Sequence, residues 1–203
     1  MELSDDTLTV SRELSELDKD VLEFTQILDA CDVSYVIVSG YVAILTGRSR
    51  STEDIDVILE SLSEVEIEQF VTELKERGYW GMAMPLDEMY SMLSEGSRIR
   101  IAEEGEMYPN FETWFVSNDV EREALSNPLT VTFDEGQIEI SPLELQIAYK
   151  LRLAQATDSL SGKDFEDALH LYLTFEERFN TEQLETYVNE LGVENYYAEL
   201  KRV

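Results

Sequence analysis

The chain has 203 residues, and its 44 aspartates and glutamates against 15 lysines and arginines give a formal net charge of -29 at pH 7. This length predicts one domain, or one domain with a small appendage, that buries about 70% of the surface of the unfolded chain. So acidic a surface does not favour non-specific binding to nucleic acid, which needs clustered lysines and arginines, although a specific RNA contact stays open. The charge is typical of adaptation to concentrated salt, where the screening length falls to about 3 Å at 1 M.

The sequence also bears on the compartment. No stretch approaches 18 consecutive apolar residues, and the first residues lack the basic-then-apolar pattern of a signal peptide. A single cysteine, Cys31, excludes a disulfide within the chain. We therefore expect a cytoplasmic protein with no membrane partner.

The first part of the chain alternates helical and strand patterns. Residues 1–10 are polar and are expected to be frayed. "SYVIV" and "IDVIL" read as buried strands, and a polar turn precedes the second of them. Helical spacing of apolar residues, or a glycine stop, predicts three helices at Leu14 to Ala30, Gly40 to Leu45 and Val65 to Arg77.

The second part changes from strands to helices. "SRIRIAE" and "NFETWFV" alternate like half-buried strands, and "LTVTFDEGQIEI" predicts two strands around a turn. From Pro142 onward only helical patterns follow, and Ser141 is the expected cap of the first of these helices. The predicted helices cover Leu143 to Ala156, Lys163 to Phe179 and Thr181 to Leu191, the last capped by Asn180 or Thr181.

Two aspartates interrupt the apolar pattern of the "IDVIL" strand. Side chains two apart in a strand point to the same face, so Asp54 and Asp56 project together. At about 4 Å two such charges repel by about 4 kcal/mol in an effective dielectric near 20, which a cation would offset. Mg²⁺ typically takes one or two carboxylates together with phosphate oxygens. The pattern thus favours a metal site. The alternatives are a solvated strand end, or a capping box formed by Ser51 with Asp54.

A Ser-Gly pair, Ser39 and Gly40, lies between the first buried strand and the short helix that follows it. The free amides of such a turn suit a phosphate, and glycine permits close approach of the backbone. Alone, Ser-Gly is more often an ordinary turn. Together with the aspartate pair, it supplies the parts of a phosphoryl or nucleotidyl transfer site.

These segments carry a family resemblance. "YVIVSGYVAILTGRSRSTEDIDVIL" resembles the signature of the nucleotidyltransferase superfamily related to DNA polymerase β, in which a Gly-Gly or Gly-Ser turn precedes a helix and an Asp-x-Asp strand. "ISPLELQIAYKLRLA" and "GKDFEDALHLYL" resemble the helical segment of its abortive-infection toxin-like branch. The likeness covers about residues 20–175. It implies an α+β (α/β) fold, a minimal nucleotidyltransferase with a mixed β-sheet flanked by helices. Its core would be 11–140, with a helical appendage at 141–203 packed on it.

The resemblance also implies roles for individual residues. Asp54 and Asp56 are expected to bind Mg²⁺, and Ser39 and Gly40 to contact the triphosphate of an NTP. Lys150 matches the lysine that reaches the phosphates, and its place on a largely apolar helix of a lysine-poor chain supports that role. The alternative is a surface lysine whose stem lies along apolar neighbours.

Further basic and acidic residues complete the expected nucleotide site. Lys163, Asp164 and Asp167 match the last motif, in which Asp164 is taken as a nucleotide-binding residue; the alternative is a helix beginning stabilised by acidic residues. Arg50, and with it Arg48, lies in the loop before the aspartate pair and is a candidate phosphate ligand, or else is solvated.

The sequence departs from the family pattern at two points. The turn is Ser-Gly rather than Gly-Gly or Gly-Ser, and the usual third aspartate has no clear counterpart. Alternation in "NFETWFV" places Glu112 opposite Phe111 and Thr113, so Glu112 is the chosen third catalytic and metal-binding carboxylate; the alternative is an exposed strand residue. Arg98 and Arg100 share one strand face and are expected near the substrate.

The predicted function is transfer of a nucleoside monophosphate from NTP to an acceptor hydroxyl, with Mg²⁺ as cofactor. The acceptor is RNA, a protein or a small molecule, and a toxin–antitoxin or defence system with a cognate partner protein is one setting. The alternative is a catalytically silent binding or antitoxin module of the same fold. The departures from the family pattern are what keep this alternative open.

Overall fold

The computed structural model describes residues 1–4 and 7–202. Nine strands lie in this part of the chain: β1 (Glu2–Ser4), β2 (Thr7–Thr9), β3 (Tyr35–Val38), β4 (Asp54–Leu59), β5 (Tyr79–Gly81), β6 (Ile99–Glu103), β7 (Asn110–Phe115), β8 (Leu129–Thr132) and β9 (Gln137–Ile140).

The same residues form nine α-helices and a short 3₁₀ turn at Leu86–Glu88. The helices are α1 (Glu16–Ala30), α2 (Gly40–Leu45), α3 (Glu64–Glu76), α4 (Met89–Ser94), α5 (Asp119–Ser126), α6 (Leu143–Ala156), α7 (Lys163–Phe175), α8 (Thr181–Leu191) and α9 (Glu194–Leu200). None of the helices in the described ranges is both long and apolar enough to cross a bilayer.

All nine strands join one mixed sheet in the order β1-β2-β8-β9-β3-β4-β7-β6-β5. β3 and β4 pair antiparallel and lie near its centre, while β4 and β7 run parallel. Their apolar side chains are buried, as the continuous apolar runs in the sequence predict for strands covered on both faces. The predicted fold class, a mixed sheet flanked by helices with a helical segment at the end, is confirmed.

The first ten residues differ from the expectation of a frayed terminus. β1 pairs with β2, which pairs in parallel with β8, and Leu8 is fully buried. That prediction was wrong, because three-residue strands are too short to give a periodic signal and are stabilised by the sheet they join. Asp5 and Asp6, to which the prediction also applied, lie outside the described residues.

The helices after the last strand form a layer in which α6 contacts α7, α8 and α9. Ser141 was the expected cap of α6, but Pro142 occupies that position without any side-chain cap bond. Asn180 does cap α8, by accepting a hydrogen bond from the backbone N–H of Gln183 at 3.1 Å. α7 ends at Phe175 rather than Phe179. The predicted appendage also included Val203, which lies outside the described residues.

A buried carboxylate connects α1 to α2. Asp18 is fully buried and accepts hydrogen bonds from Arg12 (2.6 Å), Ser15 (2.6 Å) and the hydroxyl of Tyr41 on α2 (2.9 Å). Burial alone would raise the pKa of Asp18, but the bonds from Arg12 and Ser15 outweigh it, so the pKa is lowered. The ionised Asp18 therefore fixes Tyr41, the residue next to the glycine that begins α2.

Candidate active site

The turn between β3 and α2 has an unusual backbone. Ser39 adopts φ 67° and ψ -128°, a conformation that favours glycine and that costs other residues about 1–3 kcal/mol. The side chain of Gln146 on α6 holds it there. Gln146 Nε2 donates to the Ser39 carbonyl at 2.8 Å, and the Ser39 N–H donates to Gln146 Oε1 at 3.2 Å. These two bonds tie α6 to the turn.

The glycine of the turn makes room for an arginine. A Cβ atom built on Gly40 would lie 3.0 Å from Nη2 of Arg50, closer than nearly all real Cβ contacts. The close backbone approach predicted for Gly40 is therefore made, in this structure, by the Arg50 guanidinium. The sequence made Arg50 a candidate phosphate ligand; it lies against the turn, and its binding of phosphate stays a prediction.

Asp54 and Asp56 begin β4 and alternate with the fully buried Ile55 and Val57, as strand geometry predicts. Asp56 pairs across the sheet with Val38, the residue before the Ser39 turn. Burial, together with the charge of Asp54, raises the pKa of Asp56 to about 6, although the Ser39 side chain opposes the shift. The two carboxylates thus lie on one strand face beside the turn, where their charges repel.

Glu112 lies next to Asp56 in the parallel register of β4 and β7. Its carboxylate accepts hydrogen bonds from Nη1 of Arg98 at 2.8 Å and from Nε of Arg100 at 3.3 Å. Nη1 of Arg98 is also 3.8 Å from Asp56 Oδ1. The strand therefore brings Glu112 to the expected position, while two arginines occupy its oxygens.

The donor set bears on whether Mg²⁺ fits here. Two carboxylates on one strand are sufficient for Mg²⁺ when phosphate oxygens and water complete its shell. Within the described ranges, however, no three histidine, cysteine or carboxylate side chains are grouped so that they could hold a metal ion. Asp54 and Asp56 are the type of donor that Mg²⁺ takes, and the binding of the ion by them and by Glu112 stays a prediction.

Lys150 on α6 is only 2% exposed, so the alternative of a surface lysine is wrong. Its Nζ lies 2.8 Å from Asp164 Oδ1 and 3.0 Å from Asp167 Oδ2, both on α7. Burial lowers the pKa of Lys150, and the hydrogen bond to Asp164 acts in the opposite direction. The lysine is therefore held inside the molecule by the two aspartates of the last motif.

Asp167 is the centre of this group, and it is fully buried. Besides Lys150, it contacts Nη1 of Arg50 at 2.7 Å and the guanidinium of Arg48. Arg48 also reaches the half-exposed Glu166 on α7 at 2.5 Å. We call Arg48, Arg50, Lys150, Asp164 and Asp167 the cationic cluster. The structure thus joins the predicted nucleotide-binding residues Arg50, Lys150 and Asp164 through Asp167.

A cavity of about 190 Å³ opens on the other side of the turn. Ser39 and Asp56 border it, and the rest of its lining comes from β3, β4, β7, the Ser141 segment before α6, α5 and α6. Trp114, Tyr149 and Gln146 belong to this lining, and sequence reasoning did not select any of them as site residues. The available signal was weak, since Leu145, Tyr149 and Leu153 are spaced four apart on α6 in the manner of any core-facing stripe.

The chain is similar to known proteins in structure but not in sequence. No protein-family model and no curated protein matches the sequence. A crystal structure of an antigenic nucleotidyltransferase-like protein from Paracoccidioides brasiliensis is similar, with a TM-score of 0.54 at 15% identity over 93% of this chain and 94% of that one.

Two structures of the antibiotic-resistance factor ANT(2'')-Ia are also similar. The solution structure has a TM-score of 0.52 at 13% identity, over 91% of this chain and 94% of that one. The crystal structure with adenylyl-2''-tobramycin has a TM-score of 0.53 at 11% identity, over 84% of this chain and 94% of that one. At such identities the likeness concerns the fold, and it agrees with the order of strands, turn and helices described above: this chain has a nucleotidyltransferase-like fold.

Proposed function

We propose that the chain is a Mg²⁺-dependent nucleotidyltransferase that moves a nucleoside monophosphate from NTP to an acceptor hydroxyl and releases pyrophosphate. The observation that carries this proposal is the meeting of Asp54 and Asp56, the Ser39 turn and the buried Lys150 at one place. Each of these groups alone has an ordinary structural explanation. A buried lysine and an aspartate with a raised pKa beside one strained turn are, however, typical of a functional site rather than of a core.

In this proposal, Asp54 and Asp56 would hold Mg²⁺, and Glu112 would add a third carboxylate once its arginines are displaced. Bound Mg²⁺ would neutralise charge on the α-phosphate and make the acceptor hydroxyl more acidic. Ser39 and Gly40 contact the triphosphate through the backbone.

The cationic cluster binds the β- and γ-phosphates. Arg50 and Lys150 supply positive charge, which stabilises the pyrophosphate as it leaves. Asp164 and Asp167 hold both cations in place, so the site is pre-organised before the nucleotide arrives. Asp164 is then a positioning residue for Lys150, which it contacts at 2.8 Å.

A second candidate is the catalytically silent module of the same fold, acting as an antitoxin or partner subunit. The observation that favours it is the occupation of Glu112 by Arg98 and Arg100, at 2.8 and 3.3 Å. If these ion pairs persist in the presence of NTP and Mg²⁺, the site has only two metal-binding carboxylates.

The biological setting is proposed on the motifs and the charge. The order of motifs favours the abortive-infection toxin-like branch and thus a toxin–antitoxin or defence role with a cognate partner. The net charge of -29 favours a cytoplasm rich in salt. Residues 11–140 would then serve as the catalytic core and 141–203 as the helical appendage that supplies Lys150.

The proposal is tested by calorimetric titration of a non-hydrolysable NTP, with and without Mg²⁺, at high salt. The Asp54→Asn, Asp56→Asn double variant is expected to lose the Mg²⁺-dependent part of binding while its thermal unfolding stays cooperative. A double variant with unchanged Mg²⁺-dependent binding would remove the metal site from the proposal.

Lys150→Ala supplies the second arm of this test. Loss of a hydrogen bond to a charged phosphate is expected to weaken NTP binding by about 1.5–3 kcal/mol, or about ten- to a hundredfold. The matched control is Lys201→Ala, an exposed lysine near the end of α9, for which we expect no change in affinity. Equal affinities in the Lys150→Ala and Lys201→Ala variants would favour the silent module.

A further inference from the structure

The cavity beside Asp56 differs in character from the rest of the site. Apolar residues of its lining are almost fully buried, since Ile58 is 2% exposed, Ala124 3% and Leu145 3%, while the cavity itself is partly open to solvent. Its volume of about 190 Å³ is of the same order as an apolar protein cavity of about 150 Å³ that takes up benzene. The space therefore suits the body of one ring.

The position of the cavity relative to the cationic cluster decides what occupies it. In nucleotidyl transfer the attacking and leaving oxygens lie roughly in line through the phosphorus atom. Asp56 borders the cavity, and its charge also acts on Arg50 and Lys150. No member of the cationic cluster lines the cavity, as far as the described residues extend. If pyrophosphate leaves towards the cluster, the attacking hydroxyl approaches from another direction, and the cavity is a lined space at Asp56 that the cluster does not border.

The polar groups of the lining fit a neutral ligand. Glu121 is engaged by the indole N–H of Trp114 at 3.1 Å and by Ser117, while Arg98 lies 3.9 Å above the Trp114 ring and is paired with Glu112. Arg98 is thus ion-paired, and the carboxylate of Glu121 is occupied by uncharged hydrogen-bond donors, so both side chains are already engaged within the protein. Tyr149 also lines the cavity, and its hydroxyl is a candidate polar partner for an uncharged molecule.

We propose that this cavity is the acceptor site, and that the acceptor is a small, uncharged, ring-bearing alcohol or phenol. This inference rests on the proposed function. The acceptor oxygen forms a bond to the α-phosphorus of NTP, the bond from that phosphorus to the bridging oxygen breaks, pyrophosphate leaves with the electron pair, and the hydroxyl proton passes to water. RNA is disfavoured, because the net charge of -29 repels its phosphates and Arg98, the basic residue of the lining, is already paired with Glu112.

The first test fills the cavity. Ala124→Leu on α5 adds side-chain volume to the lining, and the matched control is Ala156→Leu, which is exposed on α6. A fluorinated benzyl alcohol serves as probe in fluorine NMR. We expect saturable binding to the wild type and to the control. In Ala124→Leu we expect the affinity to fall by about tenfold or more, since the ring would lose its apolar contacts. Absence of saturable binding to the wild type would overturn the inference.

NTP affinity, measured on the same proteins, distinguishes the acceptor from the nucleobase. We expect Ala124→Leu and the wild type to bind a non-hydrolysable NTP equally. A matching loss of NTP affinity in Ala124→Leu would assign the cavity to the nucleotide instead. If Ala124→Leu does not fold, Leu153→Phe replaces it, because Leu153 is only half-buried at the cavity and tolerates a larger side chain.

The second test identifies the class of acceptor. NTPs labelled at the α-phosphate are incubated with Mg²⁺, cell extract and protein at high salt, and the products are separated into small molecules, RNA and protein. Label in the small-molecule fraction, lost in Ala124→Leu and retained in Ala156→Leu, supports the inference. Label in RNA or protein overturns it and leaves the proposed function standing. Label in no fraction also overturns it, and loss of Mg²⁺-dependent NTP binding would show that the proposed function had failed as well.

Discussion

The two sides of the Ser39 turn satisfy their charges in opposite ways. The cationic cluster is ion-paired around two buried side chains, Lys150 and Asp167, with Asp167 serving Arg50, Lys150 and Arg48 at once. The cavity side is mostly apolar, and the charge at its edge, Asp56, has a pKa of about 6 because burial disfavours its ionised form. The difference teaches that buried charge is stabilised by pairing on one side, whereas on the other a carboxylate becomes harder to ionise; we have proposed an anionic ligand for the first side and an uncharged one for the second.

The largest effect is expected from removing the centre of the cationic cluster. Asp167→Ala removes the buried partner of Arg48 and Arg50 and leaves Lys150 with Asp164 alone, and the resulting excess of positive charge is expected to lower the free energy of unfolding by about 3–5 kcal/mol. Chemical denaturation at high salt measures this loss. The matched control is Glu166→Ala on the same helix, whose half-exposed ion pair to Arg48 is expected to contribute about 0–1 kcal/mol. Equal losses of unfolding free energy in Asp167→Ala and Glu166→Ala would mean that the buried pairing at Asp167 is not special, and the contrast between the cluster and the cavity would no longer hold.

A pH-dependent effect is expected at Asp56. Its folded-state pKa of about 6 lies above the ordinary value of 3.8, so the folded state binds the proton more tightly and the ionised group costs stability. This cost is absent below the ordinary pKa and complete above pH 6. Asp56→Asn is therefore expected to raise the free energy of unfolding by about 3 kcal/mol near pH 8, at about 1.36 kcal/mol per pKa unit, and by little near pH 4.

Denaturant titrations across this pH range, with a chelator to exclude divalent cations, measure the effect at Asp56. The control is Glu53→Gln, an exposed residue just before β4, for which we expect no comparable pH dependence. If Asp56→Asn raised the free energy of unfolding equally at every pH, the Asp56 carboxyl would not be desolvated. The cavity side would then be more accessible to water than its lining indicates.

The smallest effect is expected at the turn itself. Ser39→Gly removes the strain of a positive φ and is expected to stabilise the fold by about 1 kcal/mol, once the greater backbone freedom of glycine in the unfolded chain is subtracted. Ser34→Gly, before β3 and without a positive φ, is expected to destabilise by about 0.5–1 kcal/mol. Thermal unfolding of both variants measures whether each change in stability is a gain or a loss. A loss in Ser39→Gly would mean that the serine side chain itself stabilises the turn.

Much of the fold follows from the sequence because the relevant segments have a clear period. The apolar runs of β3 and β4 and the glycine between β3 and α2 predict strand, turn and helix, and the structure has them. β2 was missed because it pairs with β8, more than a hundred positions away, and β1 was missed because it pairs in turn with β2. Short strands of this kind have no local signature.

The candidate site, like the fold, is predictable from the sequence only in part. Asp54 and Lys150 stand out in the sequence because a charge in an apolar segment requires compensation. The compensating partners could not be predicted, since the pairing of Lys150 with Asp167, and of Glu112 with Arg98 and Arg100, depends on how helices and strands pack. The cavity could not be predicted from the sequence, because its lining uses the same residue types as the core.

The two hydrogen bonds between Gln146 and Ser39 link positions 107 residues apart in the chain. Contacts of such sequence separation form late, because closing a long loop costs entropy before the contact stabilises anything. The pairing of β3 with β9 spans a similar separation, so the completed sheet and the docking of α6 are both expected to form late. The backbone of Ser39 and the side chain of Lys150 are held by the same helix, so under the proposed function any loosening of α6 would release the turn and the lysine together.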